Sequence, residues 1–242
     1  LDGAFLSAPR IDNLTSAFAS LEAVADCAPD GIAVAFLADN EEVGSATKQG
    51  AGSTFLRETA ERVYRAIGGG NFDGALAESL FLSVDNAHAL HPNHPELSDP
   101  TNRTMPGKGV VIKRHANQNY TTDALSAAIV KEIFDRAGVK HQDFYMRSDL
   151  PCGGTLGAIS SSQLSVRSCD VGLAQLAMPE RLRRDEARDQ GVLREPFYRT
   201  RIRRIQPFLI SLKINEIRKA IRPLWADRFV SDSGDQGTGR GS

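Results

Sequence analysis

The chain has 242 residues, of which 41% are hydrophobic and 24% charged, and its net charge is −1. This is the composition of a globular protein with one large domain, and no apolar stretch reaches the roughly 18 residues that a membrane helix needs. Three widely spaced cysteines argue against a disulfide framework and the N-terminus shows no secretion signal, so we expect a cytoplasmic protein without membrane partners.

The first third of the chain predicts a helix, a strand and a second helix. The first helical pattern follows Asn13, and residues 32–37 are a continuous, branched apolar run that predicts a central strand covered on both faces. Ser53 is expected to cap the second helix, which ends near Ile67 at three glycines. The predicted buried stripes are Leu14, Phe18, Leu21 and Val24 in the first helix and Phe55, Ala60, Val63 and Ile67 in the second.

The middle of the chain continues the alternation. Residues 81–84 and 110–112 predict short strands, Thr122 is expected to cap a strong helix, and residues 143–146 and 164–171 predict the last strands. Strands that alternate with helices of this length predict an α/β fold, a layered α/β/α domain with a mostly parallel central sheet.

Acidic residues follow the predicted strands at the point where such sheets carry their chemistry. Glu41 and Glu42 follow residues 32–37, Asp85 follows the next strand, and Asp12 lies at the entrance to the first helix. One of two adjacent glutamates can bind a metal while the other reaches a metal-bound water, and a short carboxylate can bridge two ions. Each acid could instead be a helix cap or a solvated loop residue, so the residues alone indicate only a metallohydrolase hypothesis.

Several ordered segments between residues 5 and 178 resemble successive motifs of the aspartyl aminopeptidase family. These segments are residues 5–14 (FLSAPRIDNL), 39–45 (DNEEVGS), 85–89 (DNAHA), 91–93 (HPN), 108–109 (KG), 111–113 (VIK), 147–155 (RSDLPCGGT) and 175–178 (QLAM), together with Tyr120. The resemblance implies a metallopeptidase with two zinc ions that releases N-terminal Asp or Glu from peptides. It also implies an inserted dimerisation domain and assembly into homo-oligomers.

The resemblance assigns roles to seven residues. Glu41 is similar to the general base that acts on a metal-bridging water, and Asp12 is similar to the bridging zinc ligand. Glu42 and Asp85 match a ligand of one zinc ion each. The positions that resemble substrate-binding residues are His88, Lys113 and Tyr120. A cation such as Lys113 also makes chemical sense opposite an acidic substrate side chain.

The chain also departs from the family pattern. The resemblance leads us to expect that the dimerisation insert and an upstream segment with a zinc-ligand histidine lie outside this sequence, and it places a second ligand histidine at the position of Pro179. We therefore expect residues 1–178 to be the C-terminal part of a zinc aminopeptidase catalytic domain. Residues 179–242 are expected to be a divergent basic tail, disordered over 232–242, which holds 15 of the 29 Lys and Arg residues.

Three alternatives accompany this interpretation. The chain could be a catalytically impaired fragment or relic that keeps the scaffold and a basic interaction tail. The arginines of the tail could contact phosphates, but interspersed acids favour a solvated segment over nucleic-acid binding. Cys152 could act as a thiol nucleophile with His88 or His115 as its base, although the resemblance makes this segment a glycine-rich backbone wall.

Overall fold

The computed structural model describes residues 5–27, 31–177 and 190–194, the last of these as backbone alone. The helices are α1 (Ile11–Asp26), α2 (Phe55–Ala66), α3 (Phe72–Ala77), α4 (Ala124–Arg136) and α5 (Leu156–Leu164). The strands are β1 (Phe5–Pro9), β2 (Leu80–Val84), β3 (Ala87–His88), β4 (Val110–Arg114), β5 (His141–Tyr145), β6 (Arg167–Gly172), β7 (Ala174–Gln175) and β8 (Gln190–Arg194). None of the described helices is both long and apolar enough to cross a bilayer.

The central sheet has four strands in the order β2-β6-β4-β5. The pairs β2–β6 and β4–β5 are parallel, and the pair β4–β6 that joins them is antiparallel. On one face Leu82 and Ile112 pack with α4 and with Ala23 of α1, and on the other Phe81 packs with Leu164 of α5. The predicted α/β class with a mostly parallel sheet is therefore confirmed, with helices on both faces.

The predictions for residues 81–84, 110–112 and 143–146 are confirmed as β2, β4 and β5. The last predicted strand begins three residues later than expected, at Arg167, because Leu164 is the end of helix α5. Two short parallel strands, β3 and β7, extend the chain beyond β2 and β6 and pair with each other. Strand β8 lies within the predicted basic tail and pairs antiparallel with β1, while Pro179 and the rest of that tail lie outside the described residues.

The prediction of a central strand at residues 32–37 is wrong. Within this segment only Ala33 has a bridge assignment, and its residues are half-buried or exposed. A strand requires a neighbour that pairs with its N–H and C=O groups. Residues 34–38 instead line a cavity of about 230 Å³ together with residues of α1 and β2.

The predicted apolar stripes of α1 and α2 do not face the core. Leu14, Phe18 and Leu21 are 59%, 48% and 52% exposed, whereas α1 buries small residues such as Ser20 and Ala23. In α2, Phe55 and Val63 are likewise about half exposed, at 49% and 50%. Periodicity correctly predicted both helices, but it assigned the wrong face to the core in α1, where mostly small residues are buried, and α2 buries none of its residues.

Both predicted helix caps are one residue early. Asp123 caps α4 in a capping box, in which Ser126 N donates to Asp123 Oδ1 at 2.6 Å and Asp123 N donates to Ser126 Oγ at 3.0 Å. Thr122 faces the sheet instead, where its Oγ1 accepts from Asp170 N at 2.8 Å. Helix α2 begins after Thr54, although Ser53 Oγ does accept from Phe55 N at 3.3 Å.

Candidate active site

A buried ion pair lies at the centre of the site. Lys113 Nζ of β4 is 2.7 Å from Asp85 Oδ2, and the side chains are 2% and 25% exposed. The same Nζ lies 5.2 Å from the centre of the Tyr120 ring, within the range of a cation–π contact. A charge as buried as Lys113 needs such partners because desolvation would otherwise favour its neutral form.

Gly172 lets Asp85 approach the middle of the sheet. Strand β6 lies between β2 and β4, and a β-carbon added at its Gly172 would lie 1.8 Å from Asp85 O. Asp85 N donates to Val171 O at 2.9 Å, which continues the β2–β6 ladder past Val84. Any larger residue at Gly172 would therefore move the Asp85 backbone.

Asp12 is held beside the Asp85 segment by its two neighbours. Asn13 Nδ2 donates to Val84 O at 2.9 Å, and Asn86 Nδ2 donates to Ile11 O at 3.2 Å. Asp12 itself has non-helical backbone angles of φ −87° and ψ 112°, so it marks the entrance to α1 as the sequence predicted. The residues on both sides of Asp12 thus contact the residues on both sides of Asp85.

Glu41 and Glu42 lie in a compact loop rather than in extended backbone. They begin a 3₁₀ turn, Glu41–Val43, between two residues with left-handed backbone, Asn40 (φ 60°) and Gly44 (φ 99°). Ser45 N donates to Asn40 O at 2.9 Å and closes the loop. Successive side chains still diverge, by about 120° in a helix with three residues per turn, so the two carboxylates can serve different purposes as expected.

Electrostatics connect Glu41 to the ion pair. Partial desolvation raises the pKa of the Glu41 carboxyl above its ordinary value, and the negative charges of Glu42 and Asp85 raise it further. The positive charge of Lys113 opposes these effects. The accessible surface of Glu41 is that of an exposed residue, so its desolvation is only partial. The better supported cause of its raised pKa is therefore the negative charge of Glu42 and Asp85.

The other two predicted substrate-binding residues, His88 and Tyr120, lie within electrostatic reach of the Lys113–Asp85 pair. Partial desolvation and the charge of Lys113 lower the pKa of His88, and Asp85 opposes them. Because the accessible surface of His88 is that of an exposed residue, the charge of Lys113 is a better supported cause of its lowered pKa than desolvation. Tyr120 is buried, and desolvation, a hydrogen bond with Cys152 and the charges of Asp85 and Asp170 raise its pKa far above the ordinary range. Tyr120 is therefore a neutral phenol at any working pH.

The described residues do not form a ready metal site. Across residues 5–27 and 31–177 no group of three or more His, Cys, Asp and Glu side chains is arranged to hold a metal ion. The structure thus brings Asp85, Lys113, Tyr120, His88 and Glu41 within electrostatic reach of one another. Asp12, Glu42 and Asp85 do not form a three-ligand group among the described residues, and carboxylates without imidazole or thiolate are an unusual ligand set for zinc.

The remaining histidines and Cys152 do not supply an alternative site. His91 and His94 stack 5.7 Å apart on a loop, and His94 Nδ1 lies 3.2 Å from Glu96 Oε1. In the part of the chain that the structure describes, no hydrogen bond joins Cys152 Sγ to His88 or His115. The cysteine-nucleophile hypothesis therefore receives no geometric support.

Sequence reasoning missed three buried polar residues that order the site. Asn86 Nδ2 also donates to Gln175 Oε1 at 3.1 Å, and both side chains are almost fully buried. Asp170, fully buried in β6, accepts hydrogen bonds from Thr121 and Thr155. The position of Asp170 within a predicted apolar strand could have indicated its role, because a buried carboxylate needs hydrogen-bond donors around it. Asn86 and Gln175 had no comparable signal.

The α/β fold places a buried lysine–carboxylate pair beside its central sheet, an architecture that serves many enzyme classes, so the class of protein is decided by comparison with known families. The model of the family "Aminopeptidase I zinc metalloprotease (M18)" matches residues 1–187. The chain belongs to the M18 family.

Curated relatives agree with this assignment. The probable M18 family aminopeptidase 2 of Mycobacterium leprae is 43% identical over 180 residues, which are 73% of this chain and 42% of the relative. That of Clostridium novyi is 42% identical over 183 residues, or 74% of this chain and 42% of the relative. These relatives are named as aminopeptidases, which are hydrolytic enzymes, and the chain spans less than half of their length.

Solved structures show the same fold. The crystal structure of yeast aminopeptidase 1 (Ape1) matches with a TM-score of 0.71 at 26% identity. The match covers 92% of this chain and 48% of the Ape1 chain. The mApe1 dodecamer of S. cerevisiae has a TM-score of 0.71 at 27% identity, with the same coverage of 92% and 48%. The suspected family and the α/β metallopeptidase fold are thus confirmed.

Proposed function

We propose that this chain carries the acidic-residue pocket and the general base of an M18 aminopeptidase, which releases N-terminal Asp or Glu from peptides. The observation that supports the proposal most is the buried Lys113 paired with Asp85, within electrostatic reach of Glu41. A fixed ammonium beside a carboxylate base suits a substrate with a negative side chain and a scissile amide nearby.

Each residue then has one task. Glu41 accepts a proton from the attacking water, because its raised pKa keeps it a better base than an ordinary carboxylate. Lys113 has three N–H donors and gives one to Asp85, which leaves donors for the carboxylate of the substrate. Tyr120 remains a neutral hydrogen-bond donor, and His88, whose pKa is lowered, lines the same space as a neutral ring near pH 7.

Zinc enters the proposal through the family and not through the geometry. Asp12, Glu42 and Asp85 are the ligands that we propose from the resemblance, and two ions per site would polarise the amide and the water. The described residues contain no group of three ligands, so the tasks proposed for Glu41 and Lys113 rest on the contacts and charges of these two residues.

A second candidate function is a catalytically impaired M18 scaffold. The absence of a three-ligand group among the described residues favours it, as does Pro179 at the position where the resemblance places a histidine. Three carboxylates without imidazole or thiolate are a poor ligand set for zinc. On this candidate the basic tail would serve as an interaction segment.

The assembly and location are also proposals. One structural neighbour is described as a dodecamer, which supports a homo-oligomer for this chain. The cytoplasm remains the proposed location, and peptides with an acidic N-terminus remain the proposed partners.

Substrate selectivity tests the proposed function. We expect the zinc-supplemented chain to hydrolyse an N-terminal Asp amide in preference to the Leu amide, and Lys113→Met to reduce this preference about tenfold or more, since a charge-assisted hydrogen bond contributes roughly 1.5–3 kcal/mol. Lys108→Met, which removes an exposed lysine, is the matched control. The ratio of kcat/KM values is the measurement, and an unchanged ratio in Lys113→Met would reject the pocket.

The raised pKa of Glu41 predicts a pH dependence. A general base must be deprotonated, so kcat/KM should fall on the acid side with an inflection above the ordinary glutamate pKa of 4.5. The effect on stability has the opposite sense: the folded state holds the Glu41 proton more tightly, so stability decreases as pH rises from 4.5 through the folded pKa. Glu41→Gln should abolish most of the turnover and remove the pH dependence of stability, and an acid limb at or below 4.5 in the wild-type chain would contradict the assignment.

A further inference from the structure

Asp170 is a fully buried carboxylate that the proposed roles leave unused. Its side chain is 0% exposed, and no ion pair within the described residues reaches it. Such a group is stable in the folded protein only where hydrogen bonds replace its hydration. Three donated hydrogen bonds supply that replacement.

These hydrogen bonds come from two separate loops. Thr121 N and Thr121 Oγ1 donate to Asp170 Oδ2 at 2.6 and 2.8 Å. Thr155 Oγ1 donates to Asp170 Oδ1 at 2.6 Å. The first loop, residues 115–123, precedes α4. The second, the glycine-rich loop, comprises residues 152–158 and includes the first turn of α5. One carboxylate in the centre of the sheet therefore joins both loops.

Both loops lead directly to the candidate site. Tyr120, which lies over Lys113, is the residue before Thr121. Cys152 lies in the second loop and its carbonyl oxygen accepts from Asn119 Nδ2 at 2.9 Å, so the loops also contact each other. Helix α5 packs tightly here, since a β-carbon added at Gly157 would lie 2.8 Å from Asp170 Oδ1. Little space remains for the carboxylate to move.

We propose that Asp170 is a positioning residue that fixes the Tyr120 loop and the glycine-rich loop against each other, and so sets the shape of the pocket above Lys113. The pocket itself rests on the proposed function. The clamp needs no ligand, because it is formed by Thr121, Thr155 and Asp170 alone. A positioning role predicts local loosening at two named loops, whereas a general structural role predicts loss of stability throughout.

Hydrogen–deuterium exchange of the full chain tests the clamp. Asp170→Asn should accelerate exchange about tenfold or more in residues 115–123 and 152–158, with core helix α4 unchanged. Asp143→Asn, the same change in an outer strand, should leave both loops unaffected. Equal acceleration across the chain, or none in the loops, would overturn the proposal.

Two milder variants keep the test decisive if Asp170→Asn does not fold. Thr121→Val should loosen only residues 115–123, and Thr155→Val only residues 152–158, where faster alkylation of Cys152 by iodoacetamide should follow. Cys27, distant from both loops in sequence, is the internal control. If each variant loosened both loops equally or neither, the clamp would be rejected.

A binding measurement separates this proposal from the proposed function. L-Aspartate titrated into the chain should bind several-fold more weakly to Thr121→Val than to wild type. As a control for stability, the unfolding midpoint of Thr121→Val should differ from that of wild type by no more than the midpoint of Asp143→Asn does. Failure of wild type to bind L-aspartate would count against the acidic pocket, and the exchange rates would still decide the clamp. Unchanged affinity in a loosened Thr121→Val would overturn the control of pocket shape.

Discussion

Replacing Asp85 with alanine is expected to destabilise the protein by about 3 kcal/mol, the lower end of the range for a broken buried ion pair. The ammonium of Lys113, 2% exposed, would lose its carboxylate and would have to be desolvated or neutralised without compensation. The estimate is at the lower end because Asp85 is 25% exposed and water can partly replace it. Urea unfolding at pH 7 in the presence of EDTA measures the effect without any contribution from bound metal.

A matched control separates the buried pair from an ordinary one. Asp143→Ala removes contacts to Lys131 at 2.7 Å and to Arg114 at 3.4 Å, where all three side chains are 24–31% exposed. Each such pair contributes about 0–1 kcal/mol, so Asp143→Ala should cost clearly less than Asp85→Ala. The double variant Lys113→Met with Asp85→Ala should recover much of the loss, since it leaves no unpaired buried charge. Equal losses for Asp85→Ala and Asp143→Ala would contradict the buried-pair interpretation.

Placing a histidine at position 179, where the resemblance expects a zinc ligand, is expected to raise zinc affinity about tenfold or more. Outer partners of metal ligands alone change affinity by roughly 10–100-fold, so a direct imidazole ligand should matter at least as much. Pro179 lies outside the described residues, and the prediction follows from the match of residues 175–178 to the family motif. Competition with a chromophoric chelator gives the dissociation constant of each variant.

Pro207→His is the control for this prediction. It makes the same substitution beyond residues 1–187, the part of the chain that matches the M18 family. An imidazole that binds zinc nonspecifically would raise affinity equally at both positions. A rise confined to Pro179→His supports the inferred ligand position, and equal affinities in the two variants would refute it.

The sequence predicted the elements whose signals are local. Strands β2 and β4 are short, mainly apolar runs, and helix α4 has a strong apolar period, so their prediction needs no tertiary information. Residues 32–37 have the same local signal but no partner strand, which composition cannot show. Helix α5 was missed because Leu156–Leu164 contains a glycine and a serine run in place of an apolar stripe.

The candidate site divides in a similar way. Glu41, Asp85, Lys113 and Tyr120 could be proposed because their motifs resemble those of a family, but the Lys113–Asp85 pair could not, since it joins residues 28 apart across an intervening strand. The antiparallel β4–β6 pair was also unexpected, and it brings Lys113 from within a strand rather than from a strand end. Contacts between distant segments can be predicted only when the order and direction of the strands are known. Acidic residues that follow individual strands do not reveal that order.

The central claim is that the proposed acidic-residue pocket and base occur without a complete zinc site in the described residues, and the zinc content and turnover of the purified 242-residue chain test it most directly. The chain would be equilibrated with excess zinc, desalted, and measured both for metal per chain and for release of Asp from a short peptide. Because the proposed carboxylate ligands and the proposed base occur without a three-ligand group in the described residues, we expect less than one zinc ion per chain and turnover well below the roughly 1 s⁻¹ of an ordinary enzyme. Two tightly held zinc ions per chain with rapid release of Asp would contradict the claim.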